Sequence, residues 1–211
     1  MFKTNAFYSV IIIVIAFTIL SCSNSNTTEP VIETYLQPLD VGNYWIYHFN
    51  TIDDTLRYEV VEEIDINVDG VNKLVSKIAM ANLNYYWFND NDGFHYIHNY
   101  SNRTREDSLS DFSVFQYKYP VEINDTWFQD YRNDGLTSEY NVVDCISTNI
   151  IINSPAGDFE CIAYRINSSE SNDDNHIEYY CPGVGLVKSR IYIHETNSFQ
   201  ERSLVQYHVQ E

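Results

Sequence analysis

The chain has 211 residues, with 30 Asp and Glu against 12 Lys and Arg, a formal net charge of −18. Such acidity argues against nucleic acid as a partner, because binding a phosphate backbone takes Lys and Arg to release its counterions. It also disfavours docking of the folded surface on anionic lipid headgroups.

The N-terminus has one early cation, Lys3, and then an apolar run from Ala6 to Leu20 that ends abruptly at Ser21-Cys22 and turns polar. A secretory leader has this layout, with an apolar core of roughly 7–15 residues. A membrane-spanning helix needs about 20. Ile19-Leu20-Ser21-Cys22 resembles a bacterial lipobox, although Ile19 stands where Leu is usual. The resemblance implies cleavage before Cys22 and a diacylglyceryl group, with palmitate, on its sulfur. The membrane would then be a partner through that anchor, in the bacterial cell envelope at the outer membrane. An ordinary leader cut elsewhere and an uncleaved signal anchor are the alternatives. Residues 1–21 are read as the signal peptide, 22–34 as a polar tether without periodicity, and 35–211 as one β-domain.

From Tyr35 on, aromatic and β-branched runs alternate with turn residues, as strands and hairpins require. Expected strands are Tyr44 to Phe49, Leu56 to Asn67, Val71 to Asn82, Leu83 to Asp90, Phe94 to Ser101 and Phe112 to Tyr119. Thr126 to Arg132, Leu136 to Ile152, a strand that leaves the tight turn Ser154 to Cys161 and runs to Ile166, His176 to Cys181, Leu186 to Glu195 and Phe199 to Val209 complete the set. Asp69-Gly70, Asp92-Gly93 and Asp134-Gly135 are hairpin signals, since glycine accepts positive φ there. No 3.6-residue periodicity of helical length follows Cys22. The expected fold is all-β, an antiparallel meander of about 11–12 strands. An open twisted sheet rarely exceeds about ten strands without curling or splitting, so a barrel, a half-barrel or two packed layers is expected.

Three segments carry a resemblance: P-L-x-x-G-N-x-W-x-Y at Pro38 to Tyr47, P-A-G-x-F-x-C at Pro155 to Cys161, and P-G-V-G-L-V-K at Pro182 to Lys188. Their order and spacing resemble cell-envelope lipoproteins with TapB-like β-domains, common in Bacteroidota-type bacteria. The resemblance implies an all-β envelope domain, with the motif glycines in turns and Trp45 and Phe159 in the core. It supplies no catalytic residues.

The residues themselves offer little chemistry. Asp65-x-Asn67-x-Asp69-Gly70 begins like an EF-hand loop, but Ser76 stands where a bidentate Glu is needed. His95 and His98 are three apart on an expected strand, hence on opposite faces, and cannot share a metal. No Gly-rich phosphate loop and no G-x-S-x-G elbow occur. No cofactor and no metal are expected. Asp54-Thr55-Leu56 and Asp107-Ser108-Leu109 resemble an O-glycosylation sequon of Bacteroidota envelope proteins, which marks Thr55 and Ser108. With Cys22 lipidated, three cysteines remain. Cys161 and Cys181 are the best disulfide pair, on neighbouring expected strands, and three unpaired thiols are the alternative.

Aromatic residues make up 15% of the chain, 18 of them Tyr. They serve either a packed core or a concave binding face. On the second reading Tyr85, Tyr86, Trp87, Phe88, Phe94 and Tyr96 line a site for an apolar or glycan ligand, in a non-catalytic binding or scaffolding module with an envelope protein as another partner. The competing expectation is an envelope hydrolase, which requires two or more carboxylates beside His176 or His194.

Overall fold

The computed structural model describes residues 35–51, 54–68, 70–97, 113–131, 140–169 and 176–210, all within the unit Thr34–Glu211. These form twelve strands: β1 Tyr44–Phe49, β2 Thr55–Val68, β3 Val71–Met80, β4 Leu83–Asp90, β5 Gly93–Ile97 and β6 Ser113–Lys118. The second half comprises β7 Thr126–Asp130, β8 Tyr140–Ser154, β9 Gly157–Ser168, β10 His176–Cys181, β11 Gly185–Ile193 and β12 Ser198–His208. A 3-10 turn at His194–Thr196 joins the last two strands and is the single helical piece among the described residues. Among the described residues β8 runs past its expected end at Ile152 through Ser154, and Gly157 opens the return strand.

All ladders are antiparallel, and the sheet order is β6-β5-β4-β3-β2-β1-β12-β11-β10-β9-β8-β7. Chain neighbours are therefore sheet neighbours, and β12 returns to pair with β1, Tyr47 opposite Leu204. The edges, β6 and β7, are themselves consecutive in the chain. A meander of twelve twisted strands curls until these edges approach, and the result is a nearly closed barrel. Register breaks at Ile46/Tyr47, Val60/Glu62, Tyr179/Tyr180 and twice in β8 mark bulges, which bend strands inward.

Side chains bridge the β6–β7 seam. Trp127 Nε1 and Gln129 Nε2 both donate to the Gln116 carbonyl, at 2.9 and 3.0 Å, and Gln116 Nε2 donates to Tyr131 Oη at 3.3 Å. Lys118 pairs with Asp125 at 2.6 Å. Each neutral bond contributes about 1 kcal/mol net, so the seam is held by a few specific contacts.

Strand alternation sends one face of each strand inward. On β1, Trp45 and Tyr47 are buried while Tyr44 and Ile46 are half-buried. The interior cluster gathers Trp45, Tyr47, Val60, Ile78, Phe94, Tyr117, Val143, Phe159, Tyr164, Tyr180, Val187 and Leu204. Trp45 and Phe159 thus sit in the core, as expected. A second, smaller cluster of Ile66, Val68, Val75, Tyr86, Phe88 and Ile97 is separate from it.

The segment before β1 closes one end of the barrel. Leu36, Gln37 and Leu39 are buried. Asn89 Nδ2 donates to the Gln37 carbonyl, Ser76 Oγ to the Leu39 carbonyl, and Gly183 N to the Tyr35 carbonyl. The fully buried Asn43 accepts from Gln210 N at 2.9 Å, tying the entry of the domain to its exit. The described core lies within the unit Thr34–Glu211.

Candidate functional site

Period-2 alternation decides which aromatics reach the interior. On β4, Tyr85 and Trp87 point inward, while Tyr86 and Phe88 point outward into the second cluster. On β5, Phe94 and Tyr96 point inward. Four of the six expected lining residues, Tyr85, Trp87, Phe94 and Tyr96, border an interior cavity of about 350 Å³. Tyr86 and Phe88 do not: four consecutive aromatics on a strand cannot share a face.

The inward rings form a continuous wall across β2, β4 and β5. Tyr58 stacks on Trp87 with centroids 6.1 Å apart, Trp87 meets Phe94 edge-on at 5.4 Å, and Tyr85 lies 6.2 Å from Tyr96. Next around the barrel, β6, β7 and β8 contribute amides. Asn141 Nδ2 donates to Gln129 Oε1 at 3.0 Å, and Gln129 in turn reaches the Gln116 carbonyl. Among the described residues no donor meets Gln116 Oε1 or Asn141 Oδ1, and both side chains border the cavity.

Facing the rings is a charged row. Register sets Tyr164, Glu178, Ser189 and Arg202 side by side on β9, β10, β11 and β12. Arg202 donates through Nη2 to Glu178 Oε1 at 3.3 Å, through Nε to Ser189 Oγ at 3.2 Å and through Nη1 to Tyr58 Oη at 3.3 Å. Its guanidinium lies 5.3 Å from the Tyr47 ring centroid. Glu178 Oε2 accepts from the Tyr117 hydroxyl at 2.6 Å, and His176 Nε2 lies 3.4 Å from Oε1.

Burial opposes ionisation of Glu178, but His176, Arg202 and the Tyr117 hydroxyl outweigh it and hold its pKa down to about 2. Burial works against the Arg202 charge as well, and the Glu178 carboxylate overrides it, so the guanidinium pKa rises. Burial pushes the Tyr117 and Tyr180 hydroxyls well up, with Glu178 adding to it, so both stay protonated. The interior therefore carries a buried anion and a buried cation that compensate each other, which is how buried charge is tolerated.

Among the described residues the cavity has a buried end and a half-buried end. Gln37, Trp45 and Leu186 are buried at the end closed by the N-terminal segment, and Leu186 N donates to Gln37 Oε1 at 3.2 Å. Tyr85, Tyr96, Tyr131, Asn141 and His176 are half-buried and lie at the opposite strand ends. Ligand pockets run from about 300 to 1,000 Å³, so the space suits a small molecule. Its groups can hold such a molecule by ring faces, amides and hydroxyls.

The arrangement required for a hydrolase is not found among the described residues. Glu178 is the only carboxylate lining the cavity there, and it is spent on Arg202, His176 and Tyr117. His194 is exposed and packs edge-on against Tyr192 at 4.9 Å, away from the cavity. No group of three metal-binding side chains occurs among the described residues. His95 is buried, stacked on Phe88 at 4.5 Å and bonded to Asp90 at 2.9 Å. His98, Asp69, Ser108 and Cys22 lie outside the described residues. Thr55 is exposed at the start of β2.

Cys145, Cys161 and Cys181 are free thiols. The β9–β10 register pairs Ile162 with Tyr180, so one further step sets Cys161 beside Cys181, but no bond joins them. Burial first, and the neighbouring Cys181 second, push the Cys161 thiol up to about 12.

Gln37, Gln116, Gln129, Asn141, Glu178 and Arg202 were not singled out in the sequence. Each is a polar residue at an inward position, and His176-x-Glu178-x-Tyr180 displays the period-2 spacing that would have exposed part of the row.

Compared with protein-family models and with curated proteins, the chain matches none. Among solved structures it is similar to a candidate lipoprotein from Parabacteroides distasonis, with TM-score 0.45 and 15% identity over 83% of this chain and 99% of that one. It is likewise similar to a candidate exported protein with YmcC-like fold from Bacteroides fragilis, with TM-score 0.47 and 14% identity over 83% of this chain and 99% of that one.

Proposed function

We propose that this chain is an exported lipoprotein of the bacterial cell envelope, anchored at the outer membrane through Cys22, whose barrel binds a small molecule in its interior without acting on it. The observation that carries the binding role is the cavity of about 350 Å³ inside the barrel, bordered by rings on one side and amides on the next. A barrel of purely structural purpose gains by filling such space, since lost packing costs stability roughly in proportion to cavity volume. Binding without chemistry is supported by Glu178, the single carboxylate bordering the cavity among the described residues, being held in a salt bridge.

The leader and the lipobox-like Ile19 to Cys22 support the location, as does the resemblance of the three motif segments to TapB-like envelope lipoproteins. One acyl chain holds a protein only marginally, and two or more hold it stably, so a diacylglyceryl group at Cys22 suffices without help from the acidic surface. Labelled palmitate supplied to expressing cells tests the anchor. Incorporation into the wild type and none into Cys22→Ser is the expected result, and label absent from both removes the anchor.

A further inference from the structure

Resting on that binding role, we infer that the occupant is a neutral saccharide unit, seated with an apolar ring face on Trp87 and Tyr85 and its hydroxyl edge toward the amides of Gln116 and Asn141. Charge decides against an ionic ligand. All three guanidinium nitrogens of Arg202 donate to Ser189, Tyr58 and Glu178, and both Glu178 oxygens accept. Arg202 keeps two further N–H donors, but its charge and that of Glu178 already balance each other, and capturing a charged ligand would leave a buried charge unpaired.

Geometry decides against a purely apolar ligand. Such a molecule would cover Gln116 Oε1 and Asn141 Oδ1, which have no donor among the described residues, and burying an unpaired polar atom costs about 1–3 kcal/mol each. A pyranose meets both walls. Its axial C–H bonds form an apolar face for the electron-rich face of an aromatic ring, and its equatorial hydroxyls donate to amide oxygens. Size agrees. A water's share of liquid volume is about 30 Å³, so the cavity holds on the order of a dozen non-hydrogen atoms, the count of one hexose.

The test is calorimetric titration of the mature polypeptide from residue 22, unlipidated, with a panel of neutral hexoses, N-acetylhexosamines and their disaccharides. The matching uronic acids and the apolar ring cyclohexanol serve as contrasts. Saturable binding of a neutral sugar is expected, at least tenfold tighter than its uronic acid counterpart. It should weaken at least tenfold in Trp87→Leu and measurably in Asn141→Leu, at a half-buried position, with circular dichroism checking that each variant is folded. Uronic acids binding as well as neutral sugars would overturn the inference. So would cyclohexanol binding while every sugar fails, which leaves the binding role standing. Failure of sugars and cyclohexanol alike removes both.

Discussion

Glu178 on β10 and Arg202 on β12 meet across the intervening strand, with Arg202 Nη2 donating to Glu178 Oε1 at 3.3 Å and Arg202 Nε donating to Ser189 Oγ of β11, which lies between them. Both are largely withdrawn from water, so the pair is expected to matter more when broken than when replaced. Glu178→Gln or Arg202→Met alone leaves a buried charge uncompensated and should cost about 3–5 kcal/mol. The double variant should cost clearly less than the sum. Urea unfolding of the four proteins supplies the cycle, and additive costs would show that the two residues do not interact.

The same carboxylate predicts a pH dependence. Its folded pKa lies below the ordinary value of 4.5, at about 2. A depressed acid stabilises the fold above the unfolded pKa, and that contribution fades as pH falls through the folded one. The shift corresponds to about 3 kcal/mol, present at pH 5 and above and lost between pH 4.5 and about 2. The stability gap between wild type and Glu178→Gln should therefore narrow over that window. A gap constant down to pH 2 would contradict the assignment.

Two glycines separate backbone strain from steric conflict. Gly185 has φ +101°, and a Cβ there would fall 2.4 Å from Gln37 Oε1, at the buried end of the cavity. Gly70 has φ +83° with nothing within 4 Å of the added carbon. Gly70→Ala should cost about 1–2 kcal/mol, the penalty of a left-handed residue alone. Gly185→Ala adds displacement of Gln37 and loss of its bond to Leu186 N, and should be worse by about 1 kcal/mol or more. Equal losses in thermal unfolding would mean that Gln37 yields without cost.

Much of the fold was legible because strand signals are local. Aromatic and β-branched runs between turn residues placed all twelve strands, and Val68 to Val71 and Asp90 to Gly93 turned where glycine allowed. Closure was legible only as a consequence of strand number. The seam was not, since the contacts of Gln116 with Trp127 and Gln129 depend on how two edges meet in space. The site was legible by half. The run Tyr85 to Phe88 advertised aromatic density, but composition ignores parity, and Tyr86 and Phe88 went to the other face. The pairing of Glu178 with Arg202 links strands 24 residues apart and left no local trace.

The central claim, an interior that is open and not filled, has a direct measure in the three indole N–H groups. Trp45 Nε1 donates to the Val184 carbonyl and Trp127 Nε1 to the Gln116 carbonyl, whereas Trp87 Nε1 meets no acceptor among the described residues and its ring borders the cavity. In solvent hydrogen-exchange NMR of the folded protein, the Trp87 indole proton should exchange orders of magnitude faster than the other two. A Trp87 proton as protected as those of Trp45 and Trp127 would mean the cavity is closed to water, and the binding account would fail with it.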